Sequence, residues 1–343
     1  MSPEPPRSGD PGPAAGVRTG TLAYSSALDG IRAISIVLVV GLHSPWLNSF
    51  PFNRGWVGVD IFFVLSGYLI TTLLLREKAK RGTISLKHFY LRRALRILPA
   101  LYAWVAVLAL TRAVRPPILL LVLLYVANIA MATGRVGDSP AAHAWSLCIE
   151  EQFYAFWPWL VRAATRRRLL AGTLIAVFAI ALWRLVLLRM GVAPFPGIYM
   201  RPDTRMDVPL WGCAAALVEQ EEGFGRWRDA LRPLAAEILA LLLAAGLVSY
   251  LLSWKWGGSI DYSVRLGFTV NAAIAAALVL WIRAYPRSLP VRFLGAAPLA
   301  WIGRLSYSIY LWHRVAFQAG EGISNRVLGF SVANVPARAT AGP

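Results

Sequence analysis

The sequence predicts an all-α protein, a polytopic bundle of about ten transmembrane helices. Hydrophobic residues make up 57% of the 343 residues and charged residues only 15%, whereas soluble domains hold roughly 45–50% apolar and about 25% charged residues. Most apolar segments approach the roughly 20 residues that a helix needs to cross a bilayer, and open sheet edges cannot face lipid. The predicted segments cover residues 31–48, 57–75, 94–112, 117–133, 151–162, 169–189, 206–219, 234–252, 265–282 and 298–317.

Two polar ends flank this membrane domain, which the pattern places at residues 25–318. Residues 1–24 contain five prolines, four glycines and no apolar run, a composition typical of disorder. We expect them to form a disordered cytoplasmic tail. Residues 319–343 are predicted to form a short polar C-terminal tail.

The net charge of +18 has two readings, nucleic-acid binding or the excess of Lys and Arg in cytoplasmic loops of membrane proteins. The hydropathy favours the second, so membrane lipids and an anionic cofactor are the expected partners of the basic loops, and no nucleic acid is expected. The two cysteines, Cys148 and Cys213, lack the spacing of a zinc site. No metal is predicted.

The positions of the basic loops are inconsistent with the predicted number of membrane crossings. Residues 76–96 and the loops around Arg166, Arg226 and Arg283 should all be cytoplasmic. Three predicted segments, an odd number, separate the first loop from Arg166. Either one segment between residues 89 and 162 fails to cross, or the charge rule fails at one loop.

The first segment holds the most informative polar residues. Arg32 and His43 are 11 residues apart, close to three helical turns, so they share a face about 16 Å apart. Asp29 lies one turn before Arg32 and can pair with it. Ionisable groups in membrane helices usually mark function. The pattern predicts an imidazole near mid-depth that acts chemically, and a histidine satisfied by a neighbouring helix is the alternative.

The second and third segments add further charged residues, of which those of the third lie at the cytoplasmic boundary. Asp60 and Gly67 share a face of the second segment, which also carries Ser66; the glycine allows close helix approach, and a buried ion pair is an equally good explanation of Asp60. Arg93 and Arg96 are one turn apart. Guanidinium groups so placed suit the phosphates of a donor, although interfacial snorkelling also explains them.

Three later clusters combine polar and apolar residues. Ser146 and Glu150 are four residues apart and share a helical face, and Glu151 is adjacent; helix capping is the simpler explanation of the paired carboxylates. His143 precedes them in a predicted loop and is assigned no role. The other two clusters contain Arg205 and Asp207, and Tyr307 and His313.

Taken together, these stretches resemble the acyltransferase 3 family of membrane-bound acyltransferases. The first motif is a basic residue, Arg32, followed by ten residues and His43. The resemblance runs from about residue 28 to 314, and five motifs occurring in order make it specific. The motifs occupy residues 28–43, 58–70, 93–99, 146–154 and 306–313.

The resemblance implies transfer of an acyl group, in particular acetyl, from acyl-CoA to the hydroxyl of a carbohydrate, lipid-linked glycan or macrolide-type acceptor, in the cytoplasmic membrane of a bacterium. It makes His43 the essential histidine and Arg32 its partner, with Arg93 and Arg96 as donor-binding candidates. Imidazole suits the base that a hydroxyl nucleophile needs, and we expect Glu150 to orient it. A covalent acyl-histidine is the alternative chemistry.

Two other classes of protein remain open. Intramembrane Arg, Asp and His could line the path of a transporter or flippase for an acylated or lipid-linked molecule. Family members generally carry another helix near the C-terminus, and the polar end after His313 is expected to be truncated. A degenerate, non-catalytic relative is therefore the second alternative.

Overall fold

The computed structural model describes residues 25–47, 51–137, 139–255 and 260–327, so the predicted tail at 1–24 and residues 328–343 lie outside the described part. The described residues form α-helices and short helical turns without any β-strand, which confirms the all-α fold. The helices are α1 Ser26–His43, α2 Val57–Arg81, α3 Leu86–Leu110, α4 Pro116–Leu123, α5 Ala127–Ala132, α6 Trp145–Ala163, α7 Arg166–Arg189, α8 Asp207–Glu219, α9 Phe224–Ala230, α10 Ala235–Lys255, α11 Ile260–Tyr262, α12 Phe268–Ala284, α13 Leu289–Leu294 and α14 Ala297–Val327.

Six stretches of the described chain are long and apolar enough to cross a membrane. They comprise α1, α2, α3 and α7, together with residues 232–253 and 263–284, which contain most of α10 and all of α12. Large apolar side chains on α7 and α10 face outward, with Phe178 72% and Leu241 69% exposed. On helices long enough to cross a bilayer, such surfaces are typical of contact with lipid. The fold is a multi-pass membrane bundle.

Segment 117–133 does not form the single helix that its hydropathy predicts. It is split into α4 and α5 at Tyr125, whose φ of 54° ends the first helix. At 1.5 Å per residue these helices are about 12 Å and 9 Å long, well below the roughly 30 Å of the hydrocarbon core. This segment therefore does not cross the membrane as one helix.

If segment 117–133 is not counted as a membrane crossing, an even number of crossings separates the basic loops, which contact one another at one end of the bundle. Lys78 Nζ donates to the carbonyl of Val161 at 2.7 Å and to that of Ala164 at 2.8 Å, and Arg166 pairs with Glu221. Arg283 pairs with Glu219 at 2.9 Å. These basic loops therefore lie on one side of the bundle, the arrangement that the charge rule requires of cytoplasmic loops.

The C-terminal helix is longer than the predicted segment 298–317. It continues to Val327, so residues 319–327, predicted as part of a polar tail, are helical. Polar residues do not end a helix by themselves, because each added residue gains one backbone hydrogen bond once the helix exists. No proline interrupts this stretch.

Glycines set the closest helix contacts. A Cβ at Gly303 of α14 would lie 1.8 Å from the carbonyl oxygen of Asp29 in α1, and one at Gly67 of α2 would lie 1.9 Å from that of Pro209 in α8. The close approach predicted for Gly67 is therefore present. The contact at Gly303 holds α14 against the helix that carries His43.

Gly303→Ala should destabilise the protein by about 1–3 kcal/mol, because the new methyl group meets backbone that cannot rotate away. Thermal unfolding of the purified protein in detergent measures the loss. Gly320→Ala on the same helix is the matched control, since a Cβ there meets nothing within 4 Å. Equal melting temperatures for the two variants would contradict the assigned α1–α14 contact.

Candidate active site

The Arg32 and His43 side chains occupy the two ends of α1. Arg32 Nη1 donates to Asp29 Oδ1 at 3.0 Å, as the one-turn spacing predicts. His43 is the last residue of α1, about 16 Å from Arg32 along the helix and toward the extracytoplasmic side. It therefore lies at the C-terminal end of α1, which begins and ends five residues earlier than the predicted segment 31–48.

The hydrogen bond of His43 defines its tautomer. Its Nδ1 lies 2.9 Å from the carbonyl oxygen of Val39. A carbonyl only accepts, so Nδ1 carries the proton in this bond, and in the neutral ring Nε2 then carries the lone pair. A backbone carbonyl of its own helix thus orients this ring. The nitrogen with the lone pair is the one that a base or a nucleophile uses.

Two further histidines form a row with His43, in which His313 lies between His43 and His143. The His43 and His313 ring centroids are 4.9 Å apart, and His313 is also 4.9 Å from His143. His313 and His143 are buried, whereas His43 is half-buried. His43 thus faces α14 rather than lipid. Within the described chain, no group of His, Cys, Asp or Glu side chains is arranged as a metal site.

His143 is the residue that the sequence did not single out. It lies in the single turn 142–144 directly before α6 and also contacts Trp104 of α3, at 5.4 Å between ring centroids. Neither of its ring nitrogens has a hydrogen bond of good geometry within the described chain. A turn residue has no helical periodicity, so only its position two residues before Trp145 could have indicated a role.

Hydroxyl groups tie this histidine cluster together. Ser146 Oγ and Tyr310 OH are 2.5 Å apart, and Tyr310 OH donates to the carbonyl of His143 at 2.8 Å. Tyr307 OH donates to the carbonyl of Ile97 at 3.2 Å. These bonds join α14 to α3 and α6, so the motif at 306–313 positions the cluster.

The two carboxylates of α6 lie apart from His43, contrary to the predicted orienting role of Glu150. Glu150 accepts hydrogen bonds from Ser66 and, at 2.5 Å, from Tyr154. Glu151 forms a two-nitrogen ion pair with Arg93, with a shortest distance of 2.7 Å, and the Arg93 guanidinium lies 3.1 Å from the centre of the Tyr154 ring. Glu150 is on the α6 face that meets α2 and α3, where no imidazole is within its described contacts.

Arg96 differs from Arg93 in having no acidic partner. The structure gives it no hydrogen bond or ion pair within the described residues, and its charge is repelled by those of Arg32 and Arg93. Arg32 and Arg93 are each bound to a carboxylate. Three guanidinium groups therefore converge on the cytoplasmic side of His43, and one retains its full donor capacity for an anion.

The remaining predicted residues belong to buried ion pairs outside this cluster. Arg205 Nη2 lies 2.6 Å from Asp60 Oδ1, and Arg184 Nη1 lies 2.7 Å from Asp207 Oδ1; all four side chains are fully buried. The structural explanation of Asp60 is therefore supported. Arg184 was missed, although a charge inside an apolar segment is itself a signal.

These observations define a multi-pass membrane protein with an oriented imidazole at one end of a polar cluster and a guanidinium group at the other, a constellation suited to group transfer. The chain belongs to the acyltransferase 3 family, because the acyltransferase domain matches residues 25–337. The family resemblance and the localisation in a bacterial membrane are thereby confirmed.

Three curated relatives illustrate the similarity. Peptidoglycan O-acetyltransferase OatA of Listeria monocytogenes is 31% identical over 310 residues, which cover 84% of this chain and 49% of the relative. O-acetyltransferase OatA of Staphylococcus aureus is 31% identical over 307 residues, with coverage of 84% and 50%. Putative peptidoglycan O-acetyltransferase YrhL of Bacillus subtilis is 33% identical over 315 residues, with coverage of 84% and 48%. The chain spans about half the length of these relatives, and no solved structure matches it.

Proposed function

We propose that this chain is the membrane-embedded acyltransferase that moves an acetyl group from acetyl-CoA to a hydroxyl of a cell-envelope carbohydrate. The observation that carries the proposal is the His43 ring, oriented by the Val39 carbonyl through Nδ1 and placed at one end of a cluster of three histidines. The names of the relatives support O-acetylation and suggest peptidoglycan as the acceptor class.

The simplest reaction is direct transfer. His43 Nε2 removes the proton of the acceptor hydroxyl, the oxygen attacks the thioester carbonyl, and the carbon–sulfur bond breaks. The proton then passes from the imidazolium to the leaving thiolate, which gives free CoA and an ester. Every atom comes from the two substrates, and the histidine returns to its starting tautomer.

The alternative has two steps and a covalent intermediate. His43 Nε2 attacks the thioester, and CoA leaves as a thiolate. The acceptor hydroxyl then attacks the acyl-imidazole and loses its proton to solvent, from which the thiolate takes one, so that the ester, free CoA and the neutral imidazole result. The position of His43 at the extracytoplasmic end of α1 favours this version for an acceptor outside the cell. An acyl group received from a cytoplasmic donor could then be released on the opposite face.

Arg96 is the proposed contact for the donor phosphates. Its guanidinium has no acidic partner within the described chain, whereas Arg93 is already bound to Glu151. The separation of about 16 Å between the levels of Arg32 and His43 suits a long flexible arm with its phosphates at one end and its thioester at the other. The donor role assigned jointly to Arg93 and Arg96 is thus refined to Arg96, with Arg93 holding the carboxylates.

Arg96→Ala should raise the KM for acetyl-CoA about tenfold and leave kcat nearly unchanged, because a charge-assisted hydrogen bond contributes roughly 1.5–3 kcal/mol. Steady-state kinetics with purified protein in nanodiscs measure both constants. Arg92→Ala is the matched control: it removes an arginine from the same helix that is 61% exposed and pairs with Glu77. If the two variants shift KM equally, the donor is not bound at Arg96.

A further inference from the structure

A cavity lies at the cytoplasmic end of the bundle, away from the histidines. It is an open cavity of about 690 Å³ between the α9–α10 and α12–α13 regions. Its walls are largely apolar and include Ala236 and Leu239 of α10, Trp281 of α12 and Pro290 of α13. The acyl-transfer reaction proposed above uses none of these residues.

Positive charge dominates the lining of this cavity. Its charged residues are three arginines and one aspartate, and Arg228 pairs with that Asp229 at 2.9 Å. Arg232 also has a favourable electrostatic interaction with Asp229. Neither Arg232 nor Arg287 makes a hydrogen bond or ion pair within the described chain. The cavity therefore offers two guanidinium groups with their donors available to an anion.

The cavity is held in shape by bonds across it. Trp281 Nε1 donates to the carbonyl of Ala235 at 2.7 Å, which joins α12 to the first turn of α10. Tyr285 OH donates to the carbonyl of Arg228 at 3.2 Å, which joins the end of α12 to α9. A site that exists before its ligand arrives loses less entropy on binding.

The apolar wall of the cavity continues into a surface that faces lipid. Along α10, Leu243 and Leu247 lie about one and two turns beyond Leu239 on its side of the helix, and they are 57% and 55% exposed. A ligand that places its charged end at the arginines can therefore lay an apolar chain against Leu239 and on along α10. A soluble anion would use the rim and leave this apolar surface uncovered.

We propose that this cavity binds an anionic phospholipid of the cytoplasmic leaflet. Its phosphodiester group lies at Arg232 and Arg287, and an acyl chain packs against Ala236 and Leu239. Basic pockets between membrane helices on the cytoplasmic side are suited to such headgroups, and two available guanidinium groups match one or two phosphodiester charges. This site is independent of the proposed acyl transfer.

The test measures retention of phosphatidylglycerol by the purified full chain in phosphatidylcholine nanodiscs, by native mass spectrometry. The double variant Arg232→Gln, Arg287→Gln should bind the lipid more weakly, by about fivefold for each arginine. Ala236→Trp should lower retention without any change of charge, because the indole fills the apolar half of the cavity. The control pair Arg167→Gln, Arg168→Gln removes the same charge at the cytoplasmic end of α7 and should retain the lipid.

Equal losses in the cavity pair and the control pair would overturn the proposal, because attraction would then reflect surface charge alone. Unchanged retention in both cavity variants would overturn it as well. Displacement of the lipid by acetyl-CoA would assign the cavity to the donor instead. His43→Ala should retain as much lipid as the unaltered chain, so failure of the acyltransferase proposal is distinguishable from failure of this one.

Discussion

Replacing His43 with alanine should lower acyl transfer by at least about 100-fold, because a positioned general base contributes roughly 10²–10⁴-fold to the rate. The reason lies in the bond between His43 Nδ1 and the Val39 carbonyl, which makes Nε2 the nitrogen that carries the lone pair of the neutral ring. Purified protein in nanodiscs, with radiolabelled acetyl-CoA and a soluble glycan acceptor, measures the product directly.

His88→Ala is the matched control for this substitution. His88 lies on the exposed surface of α3, where its Nδ1 is 2.7 Å from Ser85 Oγ, and its loss should leave turnover unchanged. Retained turnover in His43→Ala would reject both versions of the mechanism. Mass spectrometry of the chain incubated with acetyl-CoA alone separates the two versions, since only the covalent route leaves an acetyl group on His43.

The same assay distinguishes the other protein classes. A transporter or flippase would make no ester from acetyl-CoA when purified, and its His43→Ala variant would change movement of a lipid-linked molecule across vesicles. A degenerate relative would show neither activity. Formation of the ester by the unaltered chain would exclude both alternatives.

Arg184→Leu should destabilise the protein by about 3–5 kcal/mol, because removing one partner leaves the other buried charge uncompensated. Arg184 and Asp207 are both fully buried, 2.7 Å apart, and Thr269 Oγ1 also donates to Asp207, at 2.9 Å. The pair joins α7 to the start of α8. Unfolding in mixed detergent micelles, followed by tryptophan fluorescence, measures the loss.

An exposed pair of the same length provides the control. Arg201 and Asp203 are also 2.7 Å apart, but they are 36% and 40% exposed, so Arg201→Leu should cost about 0–1 kcal/mol. The double variant Arg184→Leu, Asp207→Leu should be more stable than Arg184→Leu alone, because it leaves no orphaned charge. If Arg184→Leu and Arg201→Leu melt alike, the buried pair does not hold these helices together.

The sequence by itself determined the features that depend on neighbouring residues. Hydropathy and length predicted a helical membrane bundle, because a helix satisfies its own backbone bonds in lipid. The 11-residue interval between Arg32 and His43 placed both on one face of α1, because helical geometry is local. The ordered motifs identified the family. The counting of basic loops left two explanations, a segment between residues 89 and 162 that fails to cross or a failure of the charge rule, and the break at Tyr125 favours the first.

Only the tertiary structure decided which distant segments meet. Glu150 is hydrogen-bonded to Ser66, 84 residues away, and Ser146 to Tyr310, 164 residues away. Because Glu150 is engaged there, the described contact that orients His43 is the backbone carbonyl of Val39 and not the predicted carboxylate. His143 reaches the histidine cluster from a turn without periodicity, and the break at Tyr125 interrupts an apolar run that hydropathy reads as continuous. Hydropathy and helical period describe one segment at a time, whereas these contacts depend on how several helices pack.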